Sequence, residues 1–203
     1  HSTTPPTTLR HMRLYDGNTL KLLKEHELPK DVDVPREMSW SPRGDRALLS
    51  NGSRLWLWDV ELGTTQPGPE ISTDGLSAVW LPDGEGLIIS GVKDADVTKQ
   101  GTILWDLHKN ERERTISPAV GRLAWIDGGR QLAIFDGSNL RLIDAQTWTE
   151  QHQTRRGVRG VVDWSPSALS PDGKRLACNS GGQLTFWDAG TGEFQQRILN
   201  FPF

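Results

Sequence analysis

Asp94 and Asp96 stand two residues apart in the polar stretch 92–101, a spacing at which two carboxylates can share a calcium ion. Calcium takes about six to eight oxygen ligands, and too few others surround the pair, so no metal site is expected. Glu25-His26-Glu27 sets an imidazole between two carboxylates, the types that a metal or an acid–base pair requires. In its charged surroundings the tripeptide reads as a solvated loop. The remaining histidines, His1, His11, His108 and His152, are scattered with no metal-ligand spacing. Cys178 lies in the apolar run Leu176-Ala177-Cys178 and reads as a small core residue rather than a nucleophile. Arg155, Arg156 and Arg159 crowd around Gly157 and Gly160, and three guanidinium forks on such a segment suit an acidic peptide or a phosphate. Together with Arg36, Arg122, Asp94 and Asp96 they are the residues expected at a partner-binding surface. No nucleophile with a base and an orienting acid can be assembled, so neither catalytic residues nor a cofactor site is expected.

Five other aspartates recur. Asp16, Asp59, Asp106, Asp144 and Asp188 each close a short apolar run. Ahead of four of them lies an anchor residue followed four positions on by glycine: Trp40 and Gly44, Trp80 and Gly84, Trp125 and Gly129, Leu169 and Gly173. The aspartate follows its anchor by 19 residues for Asp59, Asp144 and Asp188, and by 26 for Asp106. Leu169, and not the nearby Trp164, restores that offset in the last copy. A residue repeated in every unit argues for architecture, because catalysis needs a single site. An aspartate after a strand caps the following turn by accepting backbone N–H groups.

The elements that carry these residues are strands. Helical periodicity is almost absent, and short runs of period two lie between turn signals. Each unit opens with a strand ending at the anchor, such as Met38-Ser39-Trp40. A turn follows: Ser41-Pro42-Arg43-Gly44, Leu81-Pro82-Asp83-Gly84, Ile126-Asp127-Gly128-Gly129 or Ser170-Pro171-Asp172-Gly173. The third copy lacks the proline and must turn differently. A second strand, a third strand ending in the aspartate, and a more polar fourth strand complete the unit. Four-stranded antiparallel meanders of about 40–45 residues have the size of propeller blades. The expected fold is all-β, with four full blades over 38–66, 78–116, 123–152 and 161–199 (the anchored part of the last being 168–199). Two strands of a fifth blade are expected at 11–24, after a flexible Thr/Pro-rich linker over 1–10. The nine tryptophans are expected in the core, where ring burial is worth most.

The closing pairs Trp58-Asp59, Trp105-Asp106 and Trp187-Asp188 and the turns ahead of them resemble WD-repeat β-propellers. The fullest match is Ala168-Leu169-Ser170-Pro171-Asp172-Gly173-Lys174-Arg175-Leu176-Ala177, continuing at Trp187-Asp188-Ala189-Gly190-Thr191-Gly192-Glu193. The resemblance spans residues 11 to about 199. It implies a ring, usually of about six to eight blades, whose loop face binds partners. Four and a half blades would leave that ring open, to be completed by missing blades or by self-association. The family's Gly-His pair ahead of the first strand is missing from every unit. Its aspartate-histidine-serine-tryptophan network therefore cannot form in full, and Ser50, Ser90 and the strand-ending tryptophans are expected to keep fragments of it. Asp188-Ala189-Gly190-Thr191-Gly192-Glu193 and Asp144-Ala145-Gln146-Thr147 also look like segments of quinone-dependent dehydrogenase propellers, with Trp148 as the candidate docking tryptophan. The Ser-Pro-Asp-Gly turns favour the WD family.

A formal net charge of −3 over 203 residues gives no basic footprint, so no nucleic-acid partner is expected. No run of about 18 apolar residues is present, so no membrane partner is expected. The single cysteine excludes an intramolecular disulfide framework and fits a reducing compartment; a cytoplasmic location is expected. The function expected is a non-enzymatic protein–protein interaction scaffold that binds a protein, a peptide or another domain through its loop face. The alternatives are a propeller of the quinone-dependent dehydrogenase type and a regulatory sensor module attached to a signalling enzyme.

Overall fold

The computed structural model describes residues 10–30, 32, 34–52, 54–70, 77–92, 101–136, 139–155, 167–170, 172–180, 183–188 and 193–198. Among them the chain is strand and turn apart from one 3-10 turn at Asp127–Gly129, and no helix is long and apolar enough to cross a membrane. The chain divides into two compact units, His1–Glu70 and Ile71–Phe203.

Unit one begins with β1 (His11–Tyr15) and β2 (Leu22–Glu27), which form a two-stranded antiparallel sheet. Then come β3 (Glu37–Trp40), β4 (Arg46–Ser50), β5 (Arg54–Asp59) and β6 (Thr65–Glu70), a four-stranded meander in chain order. Met38 and Trp40 lie opposite Leu49 and Ala47, which lie opposite Trp56 and Trp58. Directly opposed residues point the same way, so these six share one face of the meander. Met12 and Leu14 of β1 pack onto that face, with Leu28, Val32 and Val60 closing the cluster. The register partners of Met12 and Leu14 on β2 are His26 and Lys24. The His26 ring meets Trp58 edge-on at 5.9 Å, and Lys24 pairs with Glu61.

Glu25-His26-Glu27 is therefore strand and not loop, and the partial blade runs to Glu27. The alternation was hidden because a lysine and a histidine occupy the inward positions. Residues 19–21, expected to open this strand, belong to the preceding turn. The tryptophan expectation also needs correction at Trp40. It contacts Trp58 at 6.4 Å between ring centroids, yet it is 44% exposed and Met38 is 52% exposed. Among the described residues, β1 and β2 do not extend over the β3 end of the face.

Unit two holds three further meanders. The first is β7 (Ser77–Trp80), β8 (Gly86–Ser90), β9 (Thr102–Asp106) and β10 (Glu111–Ser117); the second is β11 (Arg122–Ile126), β12 (Gln131–Phe135), β13 (Asn139–Asp144) and β14 (Glu150–Arg155). The third is β15 (Ser167–Leu169), β16 (Arg175–Ser180), β17 (Gln183–Asp188) and β18 (Phe194–Ile198). Successive meanders pack face to face: Ile88 and Leu104 meet Leu123, Leu132, Ile134 and Ile143, while Phe135 and Leu140 meet Leu176 and Trp187. Trp125 Nε1 donates to the Trp80 carbonyl at 2.6 Å, tying the anchors of two meanders together. The proline-free turn is the 3-10 turn, with positive φ at Asp127, Gly128 and Gly129, as the missing proline implied.

The turns between third and fourth strands share one construction. The residue four beyond the aspartate donates its N–H to the aspartate carbonyl, from Leu20 and Gly63 at 2.9 Å and from Trp148 at 2.8 Å. That residue is left-handed, with φ of 55 at Leu20, 70 at Gly63, 52 at Asn110 and 57 at Trp148. At Gly63 a Cβ would run into the His26 ring, so only glycine fits. At Leu20, which is 75% exposed, the side chain has little packing to lose. A left-handed L-residue costs about 1–2 kcal/mol, against about 0.5–1 kcal/mol for the greater chain entropy of glycine. Leu20→Gly is thus expected to stabilise unit one by roughly 0.5–1 kcal/mol, read as a higher urea midpoint. A lower midpoint would show that the turn is not under strain.

Candidate functional site

The turn aspartates are the most repeated polar side chains, and their geometry decides what they can do. Asp16 accepts the N–H groups of Thr19 (2.6 Å) and Asn18 (3.1 Å) and the Thr19 hydroxyl at 2.8 Å. Asp106 accepts from His108 (2.8 Å) and Lys109 (3.0 Å). Asp144 accepts from Thr147 (2.8 Å), Gln146 (2.9 Å) and the Thr147 hydroxyl at 3.0 Å. Asp59 accepts the Leu62 N–H at 2.8 Å. Donation from the Thr19 N–H holds Asp16 below the usual carboxylate pKa, as the Lys109 N–H does for Asp106 and the Thr147 N–H for Asp144. Hydrogen bonds to the charged form favour it. Carboxylates kept ionised and turned into their own loops are braces, not proton carriers.

A second set of braces was not singled out in the sequence. In the turn after the anchor, the Ser41 hydroxyl donates to Asp45 at 2.8 Å and the Ser170 hydroxyl to Asp172 at 2.6 Å. Each bond lowers the pKa of its aspartate. The signal was the serine that opens Ser41-Pro42-Arg43-Gly44-Asp45 and Ser170-Pro171-Asp172-Gly173.

Of the candidate partner residues, the side chains of Arg36 and Arg122 are among the described residues. Arg36, exposed in unit one, uses its N–H on the Ser50 carbonyl at 2.7 Å. Arg122, exposed at the start of β11 in unit two, edges an apolar cleft that also involves Ala124, Phe135, Leu140 and Leu176. The cleft has a volume of about 30 Å³, room for a water or two and far below the roughly 300–1,000 Å³ of small-molecule sites. Arg155 ends β14, but its side chain lies outside the described residues, as do Arg156, Arg159, Asp94, Asp96 and the side chain of Cys178. Among the described residues no three histidine, cysteine, aspartate or glutamate side chains gather to hold a metal ion. Trp148 packs against Trp125 at 6.3 Å beside the unit-two core, which gives it a packing role.

Of the expected serine-to-tryptophan network, fragments are present among the described residues. Ser90 Oγ accepts the Gly121 N–H at 2.8 Å and lies 3.2 Å from Thr102 Oγ1. The strand-ending Trp58 and Trp105 keep no share of it, since their Nε1 atoms are buried without a hydrogen-bond partner among the described residues. The strand-ending Trp187 does bond a hydroxyl, its Nε1 donating to Thr185 Oγ1 at 3.1 Å.

No family model matches the chain, and no curated protein matches it. Among solved structures it is similar to hydrazine synthase from Kuenenia stuttgartiensis, with a TM-score of 0.56 and 17% identity over 84% of this chain. The fold is propeller-like. The similarity covers 50% of the hydrazine synthase chain, so this chain spans about half of that protein's length. At this identity the likeness is one of fold alone.

Proposed function

We propose that the chain is a non-enzymatic interaction module of the WD-repeat type, holding a protein or peptide on the loops between its strands. The observation that carries this reading is the use of the repeated aspartates: Asp16, Asp106 and Asp144 each accept two backbone N–H groups of their own turn. What recurs is scaffolding, and recognition falls to what does not recur, because loops vary freely on a rigid frame. Arg155, Arg156 and Arg159 are the proposed grip, with an acidic or phosphorylated peptide as ligand. The name hydrazine synthase describes the other protein, and nothing of its chemistry is assigned here.

Fluorescence anisotropy with a poly-glutamate peptide and a phosphoserine-containing counterpart tests the proposal. The intact chain is expected to bind at least one of them, and the Arg155/Arg156/Arg159→Ala triple variant to bind at least tenfold more weakly. Equal binding by both proteins, or none by the intact chain, overturns the arginine grip. A bound chromophore with quinone absorbance and dehydrogenase turnover would overturn the non-enzymatic reading.

A further inference from the structure

The turn from β4 to β5 carries a reactive dipeptide. Of the six asparagines only Asn51 precedes a glycine. A backbone nitrogen reaches the carbonyl carbon of the preceding side chain most easily when its own residue has no Cβ in the way. Gly52 is exposed, and a Cβ built on it would meet nothing within 4 Å, so no neighbour packs against this peptide. Asn51 Oδ1 accepts the Arg54 N–H at 2.8 Å. That bond fixes which way the side-chain amide faces and favours negative charge on its oxygen, the charge that develops when a nucleophile adds to Cγ. The Gly52 N–H donates to the Ser50 hydroxyl at 3.1 Å, toward the long end for such a bond.

A second turn shows that the acid fits where Asn51 stands. Asn51-Gly52-Ser53-Arg54 corresponds to Asp136-Gly137-Ser138-Asn139, and both segments join the second strand of a meander to its third. Asp136 Oδ1 accepts the Asn139 N–H at 2.6 Å, as Asn51 Oδ1 accepts that of Arg54. The Asp136 N–H donates to the Asn139 carbonyl at 3.1 Å, as the Asn51 N–H does to the Arg54 carbonyl at 3.3 Å. An aspartate thus makes the same turn, with a shorter and charge-assisted bond.

We propose that Asn51 is a site of spontaneous deamidation, converted to aspartate with the Gly52 nitrogen as nucleophile and the Ser50 hydroxyl as a brake on the rate. The Gly52 nitrogen bonds to Asn51 Cγ, its proton passes through solvent to the side-chain nitrogen, and the Cγ–Nδ2 bond breaks. Ammonia leaves, and a five-membered succinimide remains. Water opens the ring, its hydroxyl going to Cγ and its proton to the Gly52 nitrogen, which leaves an aspartate at position 51. Water is the only co-reactant. Opening at the main-chain carbonyl would instead give isoaspartate and lengthen the backbone by a methylene. The pairing of Ser50 with Leu55 across the turn opposes that longer path. The nitrogen must shed its proton to attack, and donation to Ser50 retains it. The product adds a negative charge to a loop distinct from the arginine segment, and the proposal does not depend on that segment.

The test incubates the intact chain in mildly alkaline buffer and follows each asparagine by peptide mapping and mass spectrometry. Asn51 is expected to convert at least tenfold faster than Asn18 and Asn110, with aspartate in excess of isoaspartate. Ser50→Ala frees the Gly52 N–H and is expected to raise the rate at least threefold, with the Arg54 amide still slow to exchange as evidence that the turn is intact. Asn51→Asp is expected to keep the urea midpoint of the parent. Conversion of Asn51 no faster than that of Asn18 and Asn110 overturns the proposal. An unchanged or slower rate in Ser50→Ala overturns the brake, and excess isoaspartate or a lower midpoint for Asn51→Asp overturns the fit of the acid to this turn.

Discussion

Trp58→Ala is expected to cost unit one about 3–5 kcal/mol, the usual range for emptying a large aromatic site in a core. The indole is 2% exposed and sits between the meander and the two-stranded sheet. Ala47 and Thr65 flank it across the strands, and His26 and Trp40 contact its ring at 5.9 and 6.4 Å. Alanine leaves a cavity where Met12, Leu14 and His26 would have to collapse inward, and the strands that carry them are pinned by their own register. Trp58→Phe separates packing from polarity. Among the described residues the indole Nε1 is buried without a hydrogen-bond partner, a state that costs about 1–3 kcal/mol. Phenylalanine loses volume but also loses that orphaned donor, so its cost is expected to stay below about 2 kcal/mol. Urea titration measures the stabilities, and amide exchange at Met12, Leu14, Lys24 and His26 locates the loss. A cost for Trp58→Ala under about 1 kcal/mol would mean that this cluster does not hold β1 and β2 to the meander.

The meanders were legible because their signals are local. Proline and glycine at set places in the Ser41 and Ser170 turns, and aspartate after each third strand, act through backbone geometry within a few residues. No tertiary information is needed to read them. The second strand of the partial blade was misplaced for the opposite reason. Lys24 and His26 become inward residues only because Glu61 and Trp58 wait for them across unit one, and nothing in Leu22-Leu23-Lys24-Glu25-His26-Glu27 announces those partners. Trp40 shows the same limit. Its place on the pattern matches that of Trp80, which is buried, yet among the described residues only two strands pack on its face. The left-handed residue at Leu20, Asn110 and Trp148 was missed because a glycine marks this position only at Gly63 and Gly192.

The candidate site was less legible than the fold. Arg36 lies in unit one and Arg122 in unit two, and the other candidate partner side chains lie outside the described residues. Glu25, read as one arm of a possible metal or acid–base cluster, pairs with His11 and Arg13 across the sheet while His26 points the other way. Adjacent residues in a strand face opposite sides, so three consecutive polar residues are a poor ligand set. Recognising that strand would have dismissed the cluster at once.

Ser90→Ala is expected to destabilise unit two by about 1–3 kcal/mol, the cost of orphaning a buried donor. Ser90 is fully buried, and its hydroxyl receives the Gly121 N–H from the segment that leads into the next meander. Gly121 passes so close to the Phe135 carbonyl that no side chain fits, and its N–H cannot turn toward water. Thr102 has a second outlet, donating to the Ala119 carbonyl at 2.8 Å, so the loss falls on Gly121. Ser50 ends the second strand of its own meander in the same way, but its hydroxyl receives the N–H of Gly52 at 3.1 Å, and Gly52 is exposed. Water can replace that bond, and Ser50→Ala is expected to cost less than about 0.5 kcal/mol. Thermal unfolding of the two variants measures the difference, and faster exchange of the Gly121 amide in Ser90→Ala assigns it. Equal costs at the two serines would mean that burial of Gly121, and not the repeat position of the serine, has been given the wrong weight. A large difference would show how one repeated residue acquires two different values from the chain that happens to pass beside it.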